Sequence, residues 1–307
     1  MAPARSRLSW VDLPRTVRRQ AEGKWSARVV SEQRCSGGYT AGIASRLRLD
    51  DGRRVFVKAI PDSDCMAAHY QTEAEVCAVL PDRAAPRLWW SLDVDRWLLL
   101  AFDDIRGREP DLSPGSRDVP AVLEALRNLS EVLTPCPWPA AATASEELAG
   151  EFRAWNELTA TPREGISEWA RQHATALAGI ERLFLEHTEG DTLLHTDLRA
   201  DNMLIDDAGE VRVIDWSWVV RGAGWLDLAF LVPQLILAGH TPRAAEKTLS
   251  CLPAWQQAPA DALTSFAAAV TGVWERGRLA EGPDHLLAYR QRAVQAGAAW
   301  LEHRLRS

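Results

Sequence analysis

Residues 193–218 read LLHTDLRADNMLIDDAGEVRVIDWSW, and the reading of this stretch decides the fold. Two aliphatic runs, Met203-Leu204-Ile205 and Val211-Arg212-Val213-Ile214, enclose Asp206-Asp207-Ala208-Gly209, a turn signal between two strands. Just outside that hairpin stand His195, Asp197, Asp201, Asn202 and Asp215. Carboxylates and amides at the ends of buried strands cost free energy unless something compensates them. The spacing offers one candidate base and two oxygen ligands, carried on a loop that leads into a hairpin.

Outward from the hairpin, the chain changes character at about residue 104. Strand signals over 27–33, 43–49 and 53–60 precede a helical pattern over 64–80, which Pro81 stops; two further strand signals cover 87–92 and 96–102. Asp50-Asp51-Gly52 joins the second strand to the third as a hairpin turn. A short helix precedes the strands, with Asp12 as its expected N-cap, Pro14 in its first turn and Gly23 beyond its end. After residue 104 the pattern is helical over 119–133, 145–158, 167–187, 226–238, 243–249, 259–276 and 285–305, interrupted by strands only at the opening hairpin. The expectation is an α+β, two-lobed protein. Residues 1–104 form a five-stranded antiparallel sheet with one long helix, and residues 105–307 form a larger, mainly helical lobe.

Composition narrows the function classes. The 307 residues carry a net charge of −7, which argues against a general nucleic-acid binder. Residues 1–104 hold 16 Lys+Arg against 14 Asp+Glu, and residues 105–307 hold 19 against 28. An acidic second part suits a cationic small-molecule ligand, and it equally suits a solvated surface. Five widely spaced cysteines without a CxxC pair read as reduced thiols of a cytoplasmic protein. The first ten residues lack an apolar h-region, and the run 226–238 contains Asp227 and Pro233, so neither a signal peptide nor a membrane span is expected.

With 32 arginines to 3 lysines, each lysine is informative, and Lys58 is the unusual one. Strand alternation puts it on one face with Phe56 and Ile60, so its ammonium points where apolar groups point. It then needs a partner charge, for which Glu73 and Glu75 on the following helix are the candidates; Glu73 shares an inward stripe with Cys77 and Leu80. A Lys–Glu pair that holds a polyphosphate and a lysine snorkelling from a strand end are both open readings. Between the first two strands, Ser36-Gly37-Gly38-Tyr39-Thr40-Ala41-Gly42 lets backbone N–H groups approach an anion, although the spacing is neither that of a dinucleotide fingerprint nor that of a P-loop. Asn202 with Asp215 supplies the few hard oxygens that Mg²⁺ asks of a protein, and Asp197 could accept a proton from a hydroxyl. His195 serves either as ligand or base or as a buttress of its loop. Trp216, Trp218 and Trp225 either stack on an acceptor or belong to the core. Glu146, Glu147, Glu151 and Glu157 either bind amines or form an exposed helix face, and Asp201 either touches the acceptor or is solvated.

HTDLRADN resembles the H-x-D-x-x-x-x-N catalytic loop of protein-kinase-like enzymes, and Ile214-Asp215-Trp216 resembles the variant found in the aminoglycoside phosphotransferase family in place of D-F-G. Val57-Lys58, Glu73-Ala74-Glu75-Val76 and Gly222-x4-Asp227-Leu228-Ala229 are similar to that family's strand lysine, helix glutamate and bracing aspartate. The resemblance spans about residues 27–240; Thr196, where Gly is usual, and Ser217-Trp218 depart from the pattern. It implies an ATP- and Mg²⁺-dependent phosphotransferase acting on a hydroxyl of a small molecule, such as an aminoglycoside or another antibiotic. Asp197 would be the catalytic carboxylate, Asn202 and Asp215 the Mg²⁺ ligands, and Lys58, fixed by Glu73, the contact to the ATP phosphates. Ser36, Gly37, Gly38, Tyr39 and Thr40 would cover those phosphates, with adenine against the backbone near Asp103 and Ile105. Two alternatives stand beside it: a kinase of a small metabolite such as an amino alcohol or sugar derivative, and a non-catalytic nucleotide-binding scaffold. No activation-loop segment of protein-kinase type follows Asp215.

Overall fold

The computed structural model describes residues 8–35, 42–81, 83–161 and 163–306. Its strands are β1 (Val29–Arg34), β2 (Ile43–Leu49), β3 (Arg54–Pro61), β4 (Leu88–Val94), β5 (Trp97–Asp103), β6 (Gly107–Arg108), β7 (Thr192–Leu194), β8 (Met203–Asp206), β9 (Val211–Val213) and β10 (Val220–Gly222). The helices are α1 (Arg15–Trp25), α2 (Ala67–Cys77), α3 (Asp118–Val132), α4 (Ala144–Leu148), α5 (Ala154–Ala160), α6 (Glu168–Glu181), α7 (Trp225–Leu237), α8 (Pro242–Leu249), α9 (Pro253–Gln256), α10 (Ala260–Arg278) and α11 (Asp284–Arg306). They fall into two compact units, Met1–Glu109 with Asp201–Trp218, and Pro110–Ala200 with Val219–Ser307. The stretch Asp201–Trp218 thus groups with the first unit, whereas the sequence reading assigned it to the second part of the chain.

The first unit is built on the expected five-stranded antiparallel sheet, in the order β1-β2-β3-β5-β4. Alternation along β3 divides its side chains between two cores. Val55, Val57 and Ala59 join Val17, Ala21 and Trp25 of α1, while Ile60 and Phe56 join Tyr70 and Ala74 of α2. The β2–β3 turn uses Gly52 at φ 88°, a left-handed backbone that glycine adopts without strain. A second, three-stranded sheet runs β6-β8-β9. There a Cβ added at Gly107 would lie 2.5 Å from the Ile205 carbonyl oxygen, so only glycine permits this approach.

Several expected boundaries move, each for a physical reason. Asp12 does not cap α1, because its carboxylate accepts the N–H and the hydroxyl of Ser9 and closes a separate 3-10 turn, Trp10–Asp12. Helix α1 starts after Pro14, contains Gly23, and ends at Trp25, capped by Ser26 in the left-handed position at φ 54°. The single helix expected over 145–158 is two, α4 and α5. Buried Glu181 accepts the N–H groups of Trp155 (3.1 Å) and Asn156 (2.8 Å), and so satisfies the first turn of a new helix. The helix expected over 167–187 ends at Glu181, followed by the turn Phe184–His187. Strands β7 and β10 pair antiparallel in the second unit, so the opening hairpin is not the only strand structure beyond residue 104.

The second unit packs α10 against α11, α6 and α5. Phe152, Phe184, Phe230 and Phe266 meet at centroid distances from 4.8 to 6.2 Å. Trp155 donates its indole N–H to the Ala268 carbonyl at 2.7 Å.

Candidate active site

In the first unit, β3 and α2 bring Lys58 and Glu73 together as expected. The ammonium donates to Glu73 Oε2 at 2.6 Å and to Asp215 Oδ1 at 2.7 Å, and the Lys58 and Glu73 side chains are 11% and 3% exposed. Glu75 is exposed, which settles the choice between the two glutamates. One lysine thus faces two carboxylates. Burial pushes the Glu73 carboxyl up to about 7 even against Lys58, and the two carboxylates hold the Lys58 ammonium firmly protonated against its own burial.

Asp215 sits just beyond β9 at φ 66°, and the Ser217 hydroxyl donates to its Oδ1 at 2.9 Å. Asn202, 4% exposed, closes the base of the hairpin, where its carbonyl accepts the Ile214 N–H at 2.9 Å. Among the described residues no group of three or more His, Cys, Asp or Glu is placed to hold a metal by itself. The oxygen donors present, one amide and one carboxylate, are those suited to a hard cation that completes its shell with phosphate and water. His69 packs its ring against Trp218 at 3.9 Å between centroids, and its Nδ1 lies 3.2 Å from the Ser217 carbonyl. Trp218 is 44% exposed, whereas Trp216 and Trp225 are buried in the core.

The segment after β5 is tied down by arginines. Arg46 donates to Asp104 Oδ1 at 2.6 Å and to the Ile105 carbonyl at 2.8 Å, and Arg54 donates to Asp104 Oδ2 at 2.7 Å. The Asp103 N–H donates to the Arg87 carbonyl at 3.0 Å. Ser36, Gly37, Gly38, Tyr39 and Thr40 lie outside the described residues.

In the second unit, the loop that follows β7 is held from α7. The Asp227 carboxylate accepts the N–H groups of His195 and Thr196, both at 2.8 Å. Those bonds hold Thr196 at φ 58°, a left-handed backbone that is strained for a β-branched residue. His195 is 1% exposed, and its Nδ1 accepts the Asp197 N–H at 3.2 Å, so the ring buttresses the loop. The Asp197 side chain is 31% exposed and Arg199 donates to it at 3.0 Å. Three of the four glutamates over 146–157 find internal partners, and Glu147 is exposed. Glu146 closes a capping box with Thr143, and both Glu151 and Glu157 bind Arg276.

Burial pushes the Asp227 carboxyl from 3.8 up to about 6, against its two N–H donors. Between those values the folded chain holds a proton that the unfolded chain has released, so this group's contribution to stability falls as the pH rises from about 4 to about 6. A series of melting temperatures against pH should show that slope, and Asp227→Asn should flatten it. A slope unchanged in the variant would assign it to another group.

A family profile described as "phosphotransferase enzyme family" matches residues 34–279. The chain belongs to that family. No curated protein matches the chain. Solved structures of the same protein-kinase-like fold include choline kinase LicA from Streptococcus pneumoniae, which is 16% identical, covers 92% of this chain and 98% of its own, and has a TM-score of 0.66. Macrolide 2'-phosphotransferase MphH from Brachybacterium faecium is 16% identical over 90% of this chain and 96% of its own, at a TM-score of 0.57. The AMP-bound complex of spectinomycin phosphotransferase is 10% identical over 94% and 93%, at a TM-score of 0.60. In this family member the sequence reading missed the Ser217 hydroxyl on Asp215 and the Arg46 contact to the segment after β5. No pattern signals either one, because both depend on where a single side chain turns.

Proposed function

We propose that the protein is an ATP- and Mg²⁺-dependent kinase that phosphorylates a hydroxyl of a small molecule, an aminoglycoside or another antibiotic. The observation that carries this reading is the buried Lys58 ammonium held at once by Glu73 and Asp215. Phosphoryl transfer asks a protein mainly to position the reactants and to balance negative charge, and this lysine does the second. Lys58 contacts the nucleotide phosphates and Glu73 keeps it oriented. Asn202 and Asp215 would hold Mg²⁺, which supplies charge neutralisation at phosphate oxygens. Asp197 orients the acceptor hydroxyl and accepts its proton. The backbone near Asp103 and Ile105 takes the base, and Ser36, Gly37, Gly38, Tyr39 and Thr40 cover the phosphates.

A second reading, a kinase of an amino alcohol or similar metabolite, is favoured by the likeness to choline kinase and by the surplus of Asp and Glu after residue 104. Purified protein incubated with labelled ATP, Mg²⁺ and a panel of antibiotics and amino alcohols, followed by mass spectrometry, separates the two. Transfer to an antibiotic supports the first reading and transfer only to an amino alcohol the second. Absence of both transfer and ATP hydrolysis would point to a nucleotide-binding scaffold. Asp215→Ala is expected to abolish the Mg²⁺-dependent part of nucleotide binding in titration calorimetry. Equal affinity with and without Mg²⁺ in the wild type, or unchanged affinity in the variant, would remove Asp215 from the metal.

A further inference from the structure

The first unit contains a cavity of about 820 Å³ that borders the segment proposed above to take the base, since Asp103 and Ile105 line it. Its walls are the end of α2 with the approach to β4, the segment after β5, and the turn of the β8–β9 hairpin; Lys58, Glu73 and Asp215 do not line it. Most of the carboxylates in these walls are already engaged. Asp103 accepts the Trp89 indole N–H at 2.5 Å, and Asp104 is shared by Arg46 and Arg54. Asp206 accepts the N–H groups of Ala208 and Glu210, both at 3.0 Å, and Arg212 approaches it at 3.5 Å. The cations are not matched in the same way. Arg83, Arg87 and Arg106 line the cavity, are exposed, and have no carboxylate partner among the described residues; Asp207 is the unengaged acid beside them.

Three unmatched guanidinium groups around one concavity, on a chain whose net charge is −7, form a local positive site. A guanidinium presents paired N–H donors that fit carboxylate or phosphate oxygens, and such charge-assisted bonds are among the stronger polar contacts. Arg83 and Arg87 stand on the approach to β4 and Arg106 on the segment after β5, and the volume is in the range that holds a ligand larger than a single small anion. We propose that this cavity binds a small polyanion carrying two or more phosphate or carboxylate groups, at a site separate from the Lys58–Glu73–Asp215 cluster.

The test titrates the full chain with pyrophosphate and, separately, with citrate by calorimetry at low salt. It compares wild type with the triple variant R83Q/R87Q/R106Q and with a control, R15Q/R243Q/R292Q, which removes the same charge at other exposed arginines. All six positions are exposed, and thermal melting verifies that each variant is folded. The expected result is binding that weakens at least about tenfold in the cavity triple and changes less than about twofold in the control. A phosphate site binds pyrophosphate alone, whereas a general polyanion site binds both probes. Equal weakening in the two triples, an unaffected cavity triple, or no binding of either probe would overturn the proposal. None of these readouts involves phosphoryl transfer, so they are independent of the proposed kinase activity.

Discussion

Asp197→Asn should lower the rate of phosphoryl transfer by about 10²- to 10⁴-fold, the range expected when a positioned general base is removed. The amide is close to the size of the carboxylate, so the loop should keep its shape. Its anchors lie elsewhere: Asp227 holds the N–H groups of His195 and Thr196, and the His195 ring holds the N–H of Asp197. The Asp197 side chain is 31% exposed and its bond to Arg199 is part-buried, and the side-chain oxygen of Asn can still accept from that guanidinium. Nucleotide affinity and the melting curve should therefore stay close to wild type while kcat falls. Turnover near wild type would remove Asp197 from the chemistry, and a large drop in melting temperature would make it a structural residue instead.

Lys58→Met should destabilise the protein by about 3–5 kcal/mol at pH 8, because it leaves Glu73 as a buried charge without its partner. The sign of the pH dependence follows from Glu73. Its carboxyl is pushed up to about 7 by burial with the lysine present, and loss of the lysine raises it further. At pH 5.5 Glu73 is neutral in both proteins, so the deficit should be smaller by about 1.4 kcal/mol, the linkage value of the one pH unit between 7 and 8. Asp215 adds less at either pH, since its side chain is 42% exposed. Denaturant unfolding at the two pH values measures the difference, and Lys58→Met combined with Glu73→Gln should recover most of the loss at pH 8. A deficit independent of pH, with no recovery in the double variant, would mean that packing around the lysine stem dominates.

The sequence made legible those parts of the fold whose cause is local. Strand β2 falls at residues 43–49 as expected, because Asp50-Asp51-Gly52 fixes one of its ends. Lys58 and Glu73 could be paired in advance because strand alternation and the helical stripe both put them inward. Strands β7 and β10 were not legible. Each has three residues, too few to show a period of two, and they pair with each other across more than 20 intervening residues. The division between α4 and α5 was hidden for a related reason, since the carboxylate that starts α5 comes from Glu181. In the candidate site, Asp227 was recognisable only through its resemblance to a family pattern. Alone in an apolar run it shows no sign that it holds two backbone N–H groups.

The shared carboxylate of Asp104 has one more consequence. The inside–outside alternation of β2 and β3 repeats every two residues, so sliding one strand by two positions would leave every apolar side chain facing its own core. Hydrophobic burial alone does not distinguish that slipped hairpin from the native one. Arg46 on β2 and Arg54 on β3 both reach Asp104, and they do so only in the native alignment, in which Arg46 lies opposite Phe56 and Arg48 opposite Arg54. Asp104, whose side chain is 1% exposed, therefore works as an alignment key for two strands to which it does not belong. Asp104→Asn should loosen the hairpin more than the sheet as a whole, seen as faster amide exchange in β2 and β3 than in β4. Uniform exchange across the sheet would show that the turn alone sets the alignment.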